Sequence, residues 1–574
     1  VGRYRLIEHN HQQLKVPLIA TPLSEGENLY YIGKKVAQHP HLCTNRETQV
    51  GAIMMTAKFC CGLFFFLLLG FQSLIVLAED QDTSLTDLLE QESTVTLTMK
   101  EAVLKALQNN LDITVSRQSR DVRLTDILFQ QAKFDPTVEL TSRYDRRVNP
   151  LNRPILGFGQ SGGVSVGGEP DNIDQNDTKL SLGFTQKLLT GGNYDLKFDS
   201  NRNSVAGQTS FLFNPSYTAN FLFNLTQPLL RDFGPGVNAT QIKIARNAAK
   251  VEQYAFVNQV LTVIATVEQT YWELVAARQN EKVAKSTLNA AQELLTSNRA
   301  KVKAGVMAEV DVLQAQAGVA SRVEQVLIAQ KMIGDQEDQL RRLLSPSEKT
   351  LSEDLMIIPL DHPARSMDLP TRLKAIQVAM EKRPDVLQAE KNIENSQLNT
   401  RFAKNQLLPN LAFQGTVGLN GLGKKPGDTL DRTFSKDFYQ LGGGLVLSYP
   451  IGNRSAESQY HRRLLETQQS KASLLRVRRQ VIIDVKAALR GIQTDFKRIA
   501  TTQFARRLAE KQLRAEQARL DLGLSTTRDV LKFQGDLAEA RGKELRAVID
   551  YNKSLSNLRR MTATAIDEYN LVLE

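Results

Sequence analysis

Past residue 78 this chain has no cysteine: all three, Cys43, Cys60 and Cys61, lie before that point. A disulfide framework, a thiolate zinc site and a thiol nucleophile are therefore excluded from everything that follows. Histidine is nearly as scarce. His9, His11, His39 and His41 also fall in the first 78 residues, which leaves His362 in an Asp-His-Pro run and His461 among His-Arg-Arg at the head of a helical stretch. Both read as solvated surface residues, so a Ser-His-Asp triad has no promising base. No Gly-Lys-Ser/Thr phosphate loop is present. The net charge is +10, but the cations are interleaved with Glu and Asp along helices, and no short Lys/Arg cluster carries interspersed aromatics. That pattern is a solvated helix surface rather than a nucleic-acid footprint. Acidic pairs on the helices read the same way. The expectation is of no catalytic residue, no cofactor and no metal site.

The chain also lacks a long apolar run, with one partial exception. Lys58 precedes the apolar stretch 59–69, which continues weakly to Leu77 and meets Glu79-Asp80 after Val76-Leu77-Ala78. A positive flank, a short apolar core and a small residue at a polar boundary make residues 54–78 a secretory signal peptide. Gly70, Gln72 and Ser73 interrupt the stretch, which argues against a membrane-spanning helix. Cys60 and Cys61 lie early in it, not at its end, and do not read as lipid-attachment sites. Residues 1–53 precede Met54-Met55 and are expected to be an upstream extension outside the translated protein.

What the chain has is a repeat. Gly305-Val306-Met307-Ala308-Glu309-Val310-Asp311-Val312-Leu313 returns as Gly523-Leu524-Ser525-Thr526-Thr527-Arg528-Asp529-Val530-Leu531, each Gly six residues before Asp-Val-Leu. Upstream, Ala102 and Ala375, Asp112 and Asp385, and Pro136 and Pro409 all keep one offset of 273 residues. Such self-similarity restricts the architecture before any single residue is read. Repeat one is placed at 79–345 and repeat two at 371–574, with a proline-containing linker over 346–370.

Within each repeat the hydrophobic period changes at prolines. After Pro136 and Pro409 the sequence alternates, as in Val138-Glu139-Leu140 and Leu411-Ala412-Phe413. Alternation recurs around Leu180-Ser181-Leu182, Tyr194-Asp195-Leu196, Phe221-Leu222-Phe223 and Leu445-Val446-Leu447, beside the turn Thr190-Gly191-Gly192-Asn193. These are strand signals. They end at Pro228 and Pro450, so the four prolines mark the strand-to-helix boundaries. Long helical stretches follow, nearly free of Pro and Gly. Their apolar residues recur every three or four positions, as at Val260, Ile264, Val267 and Tyr271, and at Val481, Val485, Leu489 and Ile492. One apolar stripe on a helix of roughly 100 Å demands neighbours, as a coiled coil or helical barrel. Repeat one has a 51-residue excess between its prolines, an insertion in the strand region at about 148–205. It is expected to be a surface loop.

The order helix, strands, long helix, Gly-x5-Asp-Val-Leu, helix, made twice, together with the paired prolines and Thr226-Gln227-Pro228-Leu229, resembles the TolC family of outer-membrane efflux proteins, the outer membrane factors of tripartite efflux and type I secretion. The resemblance covers essentially all of the chain after the leader. It implies an α+β membrane protein in which three chains share one outer-membrane β-barrel, four strands from each, continued by a long periplasmic α-helical barrel. It implies a passive channel-tunnel that carries exported substrates to the exterior, with a periplasmic adaptor (membrane fusion) protein and an inner-membrane pump as partners, in contact with outer-membrane lipid and without nucleic acid. Gly305 and Gly523 then turn the chain at the periplasmic tip, where the family's pore closes. Asp311 and Asp529 match the family's tip Asp, and each also reads as a helix N-cap. The family's gate Tyr and Arg positions hold Leu520 and Ser525 here, and a second pore Asp is Lys532. Arg528 is a candidate replacement cation for Asp311, and Lys532 a partial compensator of Asp529. The competing class is a periplasmic coiled-coil adaptor or scaffold, which gives no reason for alternating strands between matched prolines.

Overall fold

A computed structural model describes residues 94–150, 172–206, 211–345, 348, 356–367 and 369–572. The upstream extension and signal peptide expected over 1–78 lie outside the described residues, as do residues 151–171 of the insertion. From Val95 onward the described residues belong to one unit. In chain order they form β1 (Thr94–Leu97), α1 (Met99–Asn109), α2 (Leu111–Gln131), β2 (Thr137–Pro150), β3 (Asn172–Lys187), β4 (Asn193–Ala206) and β5 (Ser216–Pro228). The one-turn α3 (Pro235–Asn238), α4 (Thr240–Lys303) and α5 (Glu309–Leu344) complete the first repeat. The second has β6 (Met356–Pro359), α6 (Arg372–Lys382), α7 (Pro384–Asn405), β7 (Asn410–Gly423), α8 (Pro426–Phe434), β8 (Tyr439–Ser448), α9 (Arg454–Asp521), α10 (Thr527–Met561) and the one-turn α11 (Ala565–Glu568).

The short helices start where local chemistry favours it. Thr98 and Glu101 form a capping box at the head of α1, each bonding the other's backbone N–H. Asn110 ends α1 and caps α2, its side chain accepting from the Asp112 and Ile113 amides. In the second repeat the same break is made by Arg383-Pro384, with Pro384 as the first residue of α7.

The long helices, 64 residues in α4 and 68 in α9, carry the core at mid-length. The expected stripe of α4, from Val260 to Val275, packs with Ala102, Val103 and Ala106 of α1 and with Leu340 of α5. The stripe of α9, Val481, Val485, Leu489 and Ile492, packs with Ala375 and Ala379 of α6 and with Tyr551 and Leu558 of α10. Ala102 and Ala375, equivalent in the repeat, are both buried, and so are Ala106 and Ala379. A methyl at these positions lets each short helix approach its long one closely. Polar ties join the halves: Tyr271 donates to Asp361 Oδ2 (2.7 Å), which also accepts from the Met99 amide (2.6 Å). Glu273 of α4 is held by Arg546 (2.8 Å) and Lys553 of α10. Burial pushes the Glu273 carboxyl up, but the two cations more than offset this and hold it below the ordinary carboxylate range.

The sheet departs from expectation. Its order is β2-β3-β4-β5-β7-β8, antiparallel throughout, so the chain provides six strands rather than four. The described part of the insertion is not a surface loop. It supplies β3 and β4, which sit between β2 and β5. The physical reason lies in their alternation. Leu182 and Phe184 stand opposite Phe198 and Leu196, so pairing extends one apolar face across both strands. The 346–370 linker is also more than a tether, since β6 within it pairs with β1.

Candidate functional site

The register divides the six-stranded sheet into two unlike faces. One carries Val138 and Leu140, Leu182 and Phe184, Leu196 and Phe198, Phe221 and Phe223, Val417 and Leu419, and Leu441 and Leu445 in laterally adjacent rows. Aromatic rings stand at both ends of this band. Phe184, Tyr194 and Phe413 lie toward the helices, with Tyr194 6.1 Å from the rings of both Phe184 and Phe223. Tyr144, Tyr217 and Tyr439 lie toward the far end. The opposite face is polar. Ser181 donates to Asp199 Oδ1 (2.5 Å), Asn224 to Asp195 Oδ2 (3.2 Å), and Thr416 to Asn224 Oδ1 (2.9 Å), a belt running from β3 to β7. All its charges, including Glu139, Lys179, Asp195 and Lys197, come from β2 to β4, whereas β5, β7 and β8 present uncharged residues there. An apolar band with aromatic edges on one side and a hydrated wall on the other is the arrangement of a membrane barrel strand. β2 and β8 each have one edge unpaired within the chain. No described helix is long and apolar enough to cross a membrane.

The boundary prolines sit where a missing N–H is harmless. Pro136 and Pro409 directly precede β2 and β7, Pro228 closes β5, and Pro450 stands two residues beyond β8. The junctions are tied together: Leu229 N donates to Leu411 O (2.7 Å), and Arg231 N to Pro409 O (3.3 Å).

At the opposite pole the helices turn back. Gly305 (φ +75°) and Gly523 (φ +73°) both occupy the left-handed region with open space around them. Each closes a Schellman motif. Gly305 N donates to Val302 O (2.9 Å) and Val306 N to Lys301 O (3.0 Å), repeated by Gly523 to Leu520 (3.1 Å) and Leu524 to Arg519 (2.8 Å). The repeated glycines thus hold the left-handed positions of the two turns.

The aspartates are placed differently from expectation. Neither is an N-cap. Ala308 precedes α5 without a side-chain cap bond, and Thr526 caps α10 by accepting from the Asp529 amide. Asp311 and Asp529 lie three residues after those caps, in the first helical turn, where a carboxylate complements the exposed amides. Thr526 can hold the cap position because its hydroxyl also donates to Asp529 Oδ2 (2.7 Å). Among the described residues, Arg528 and Lys532 form no ion pair with Asp311 or Asp529. Both are exposed, and Lys532 Nζ stands 5.8 Å from the Phe533 ring centre. Ser525 donates to Glu516, and Leu520 is buried.

Sequence reasoning missed the side chains that join the two hairpins. Asn298 of α4 is fully buried; its Nδ2 donates to Thr527 Oγ1 (2.8 Å) and weakly to Asp311 O (3.4 Å). Lys301 of α4 pairs with Asp521 of α9 (3.0 Å). Gln534 of α10 donates to Ala290 O (3.3 Å), and Leu531 fills the space above Gly318. The Thr526-Thr527-x-Asp529 spacing is a readable capping pattern, but nothing local marks Asn298, whose partner is 229 residues away.

A family model described as outer membrane efflux protein matches residues 193–345 and 375–564. The pyoverdine export outer membrane protein OpmQ of Pseudomonas putida is 26% identical over 385 residues, 64% of this chain and 75% of that protein. The outer membrane protein TolC of Vibrio cholerae is 24% identical over 389 residues, 66% and 83% of the two chains. Among solved structures, the Campylobacter jejuni CmeC outer membrane channel superposes with a TM-score of 0.57 at 16% identity, covering 84% of this chain and 94% of that one. The open-state Neisseria gonorrhoeae MtrE outer membrane channel does so with 0.55 at 16%, covering 81% and 88%. These structural likenesses concern the fold.

Proposed function

The chain belongs to the outer membrane efflux protein family, and we propose on that premise that it is the passive outer-membrane conduit of an export system. The observation that carries this reading is the two-faced six-stranded sheet. Alone it has two open edges, which lipid does not tolerate. Three copies joined β8 to β2 close a barrel of eighteen strands, wide enough for an aqueous lumen. Apolar residues left exposed on the flanking helices, such as Leu128 and Phe129 of α2 and Leu475 and Ile483 of α9, then meet across the same seams. The apolar sheet face meets lipid and the polar face lines the passage. The export is driven by an inner-membrane pump coupled through a periplasmic adaptor, which would engage the tip formed around Gly305 and Gly523.

Purified protein run unboiled should migrate as a heat-dissociable trimer and conduct in planar bilayers. A monomer that stays in the soluble periplasmic fraction and does not conduct would favour the scaffold reading instead. The tip aspartates belong to the same proposal. Asp311 and Asp529 of three chains form an acidic ring that Lys532 offsets, and fixed charge at a narrow ring sets ion preference. Lys532→Asp should shift the reversal potential in a salt gradient toward cations. An unchanged reversal potential would place Lys532 away from the conducting path.

A further inference from the structure

The connection between β7 and β8 contains a helix that the channel reading does not use. α8 (Pro426–Phe434) lies on the sheet at the end farthest from the long helices. Thr429 and Thr433 are its buried residues, one turn apart. Thr429 Oγ1 donates to Tyr217 O (3.3 Å) and Thr433 Oγ1 to Ala219 O (3.2 Å), both on β5. Beneath the helix β7 has no side chains. A Cβ on Gly421 would lie 2.1 Å from Thr433 Oγ1, and one on Gly423 2.6 Å from Thr429 Oγ1. By the alternation of β7, Gly421 and Gly423 share a face with Val417 and Leu419, the apolar one. The helix is therefore seated on the outer wall, in a notch made by two glycines.

Its apolar stripe stands on the flank of the helix, about a quarter turn from the protein contact. Polar threonines make the protein contact, while Leu430 and Phe434, also one turn apart, remain exposed at 41% and 58%. Phe438, just before β8, is 57% exposed. Asp428 lies across the helix from this apolar stripe, Asp431 borders it on the side farthest from the sheet, and Arg432 is tied to Leu422 O (3.0 Å) and to the Phe213 ring. In water this arrangement leaves a row of large apolar side chains uncovered next to an already apolar wall. The helix stands over β5 and β7, one strand in from the β8 edge where copies would join, so a neighbouring copy is the competing occupant. The continuity of its apolar stripe with the apolar wall points to the same medium for both.

Resting on the barrel reading above, we infer that α8 is an interfacial anchor, with Leu430, Phe434 and Phe438 inserted among acyl chains of the outer leaflet and Asp428 and Asp431 kept at the headgroup level. Height agrees with this. Phe413 and Gly423 are ten residues apart on β7, about 33 Å along a strand. At the usual barrel tilt that is roughly the 25 Å of an outer-membrane apolar band. The helix thus sits at the outer boundary, where amphipathic helices partition with their apolar face down.

The sole tryptophan of the chain, Trp272, lies in α4 and serves as an internal reference beyond the bilayer. The full chain carrying Phe434→Trp is reconstituted in phosphatidylcholine vesicles whose acyl chains are brominated, beside Phe223→Trp on the apolar wall. Both new tryptophans are expected to be quenched by bromine, to within about twofold of each other, and shielded from aqueous acrylamide. Adding Gly421→Leu, which fills the notch, should abolish bromine quenching at position 434 while heat-dissociable trimers persist. Quenching of Phe434→Trp by acrylamide alone would place the helix in water and overturn the inference. Quenching by neither agent would mean that protein covers it, with the same consequence. Should Phe434→Trp fail to assemble, Leu430→Trp carries the same expectation. If Phe223→Trp also escapes bromine, it is the barrel reading that fails.

Discussion

Phe221→Lys should abolish assembly, whereas Asn220→Lys, one residue away, should preserve it. Phe221 lies mid-way along β5 between Phe198 and Leu419 on the apolar face, and Asn220 lies between Asp199 and Asn420 on the polar one. A lysine at the midplane of a lipid-facing strand costs about 2–4 kcal/mol, and a trimer meets that cost three times. The expected readout for Phe221→Lys is loss of the heat-dissociable band from the outer-membrane fraction, with degradation of the unassembled chain. For Asn220→Lys the introduced ammonium faces Asp199 in a hydrated lumen, where solvation and the carboxylate accommodate it. The trimer band should remain, and only ion selectivity should move toward anions. Two neutral outcomes, or two losses of equal size, would mean that the faces of the sheet do not meet different media.

The second large effect concerns the tip. Asn298→Ala should raise the fraction of time that reconstituted channels spend in their high-conductance state, because it removes a polar link between the two hairpins whose two side chains are both fully buried. Thr527 is likewise buried and would lose its partner. An unsatisfied buried group costs about 1–3 kcal/mol, which displaces a two-state equilibrium roughly 5- to 150-fold. Lys301→Ala is the contrasting variant. Its partner Asp521 is 72% exposed, so the pair contributes at most about 1 kcal/mol. Its effect should be small and should vanish at high salt. If Lys301→Ala opens the channel and Asn298→Ala does not, the hairpins are held by surface charge and not by the buried contact.

The parts of this molecule that were legible in its sequence are those written in local pattern. Periodic apolar residues on α4 and α9 and alternation on the strands report their own geometry, because a side chain's face follows from its residue number alone. The prolines and the two turn glycines are legible for a similar reason, since few backbone conformations suit them. The capping role of Thr526 is less legible, because Asp529, an acid beside the same turn, fits the same local pattern.

Pairing decided the rest. Whether residues 172–206 looped out or joined the sheet depended on partners in β2 and β5, and their alternating residues are equally compatible with either until the register with Phe221 and Phe223 is set. The seating of α8 needed Gly421 and Ala219, from strands some 200 residues apart, to be brought side by side. Asn298 became a hairpin link only when Thr527 arrived opposite it. The sequence by itself determined a twice-repeated chain of long helices and alternating strands, without cysteine past residue 78. Only the tertiary structure decided the strand count, the placement of the outer helix and the contacts that hold the tip, because each rests on a meeting of distant residues that no local period encodes.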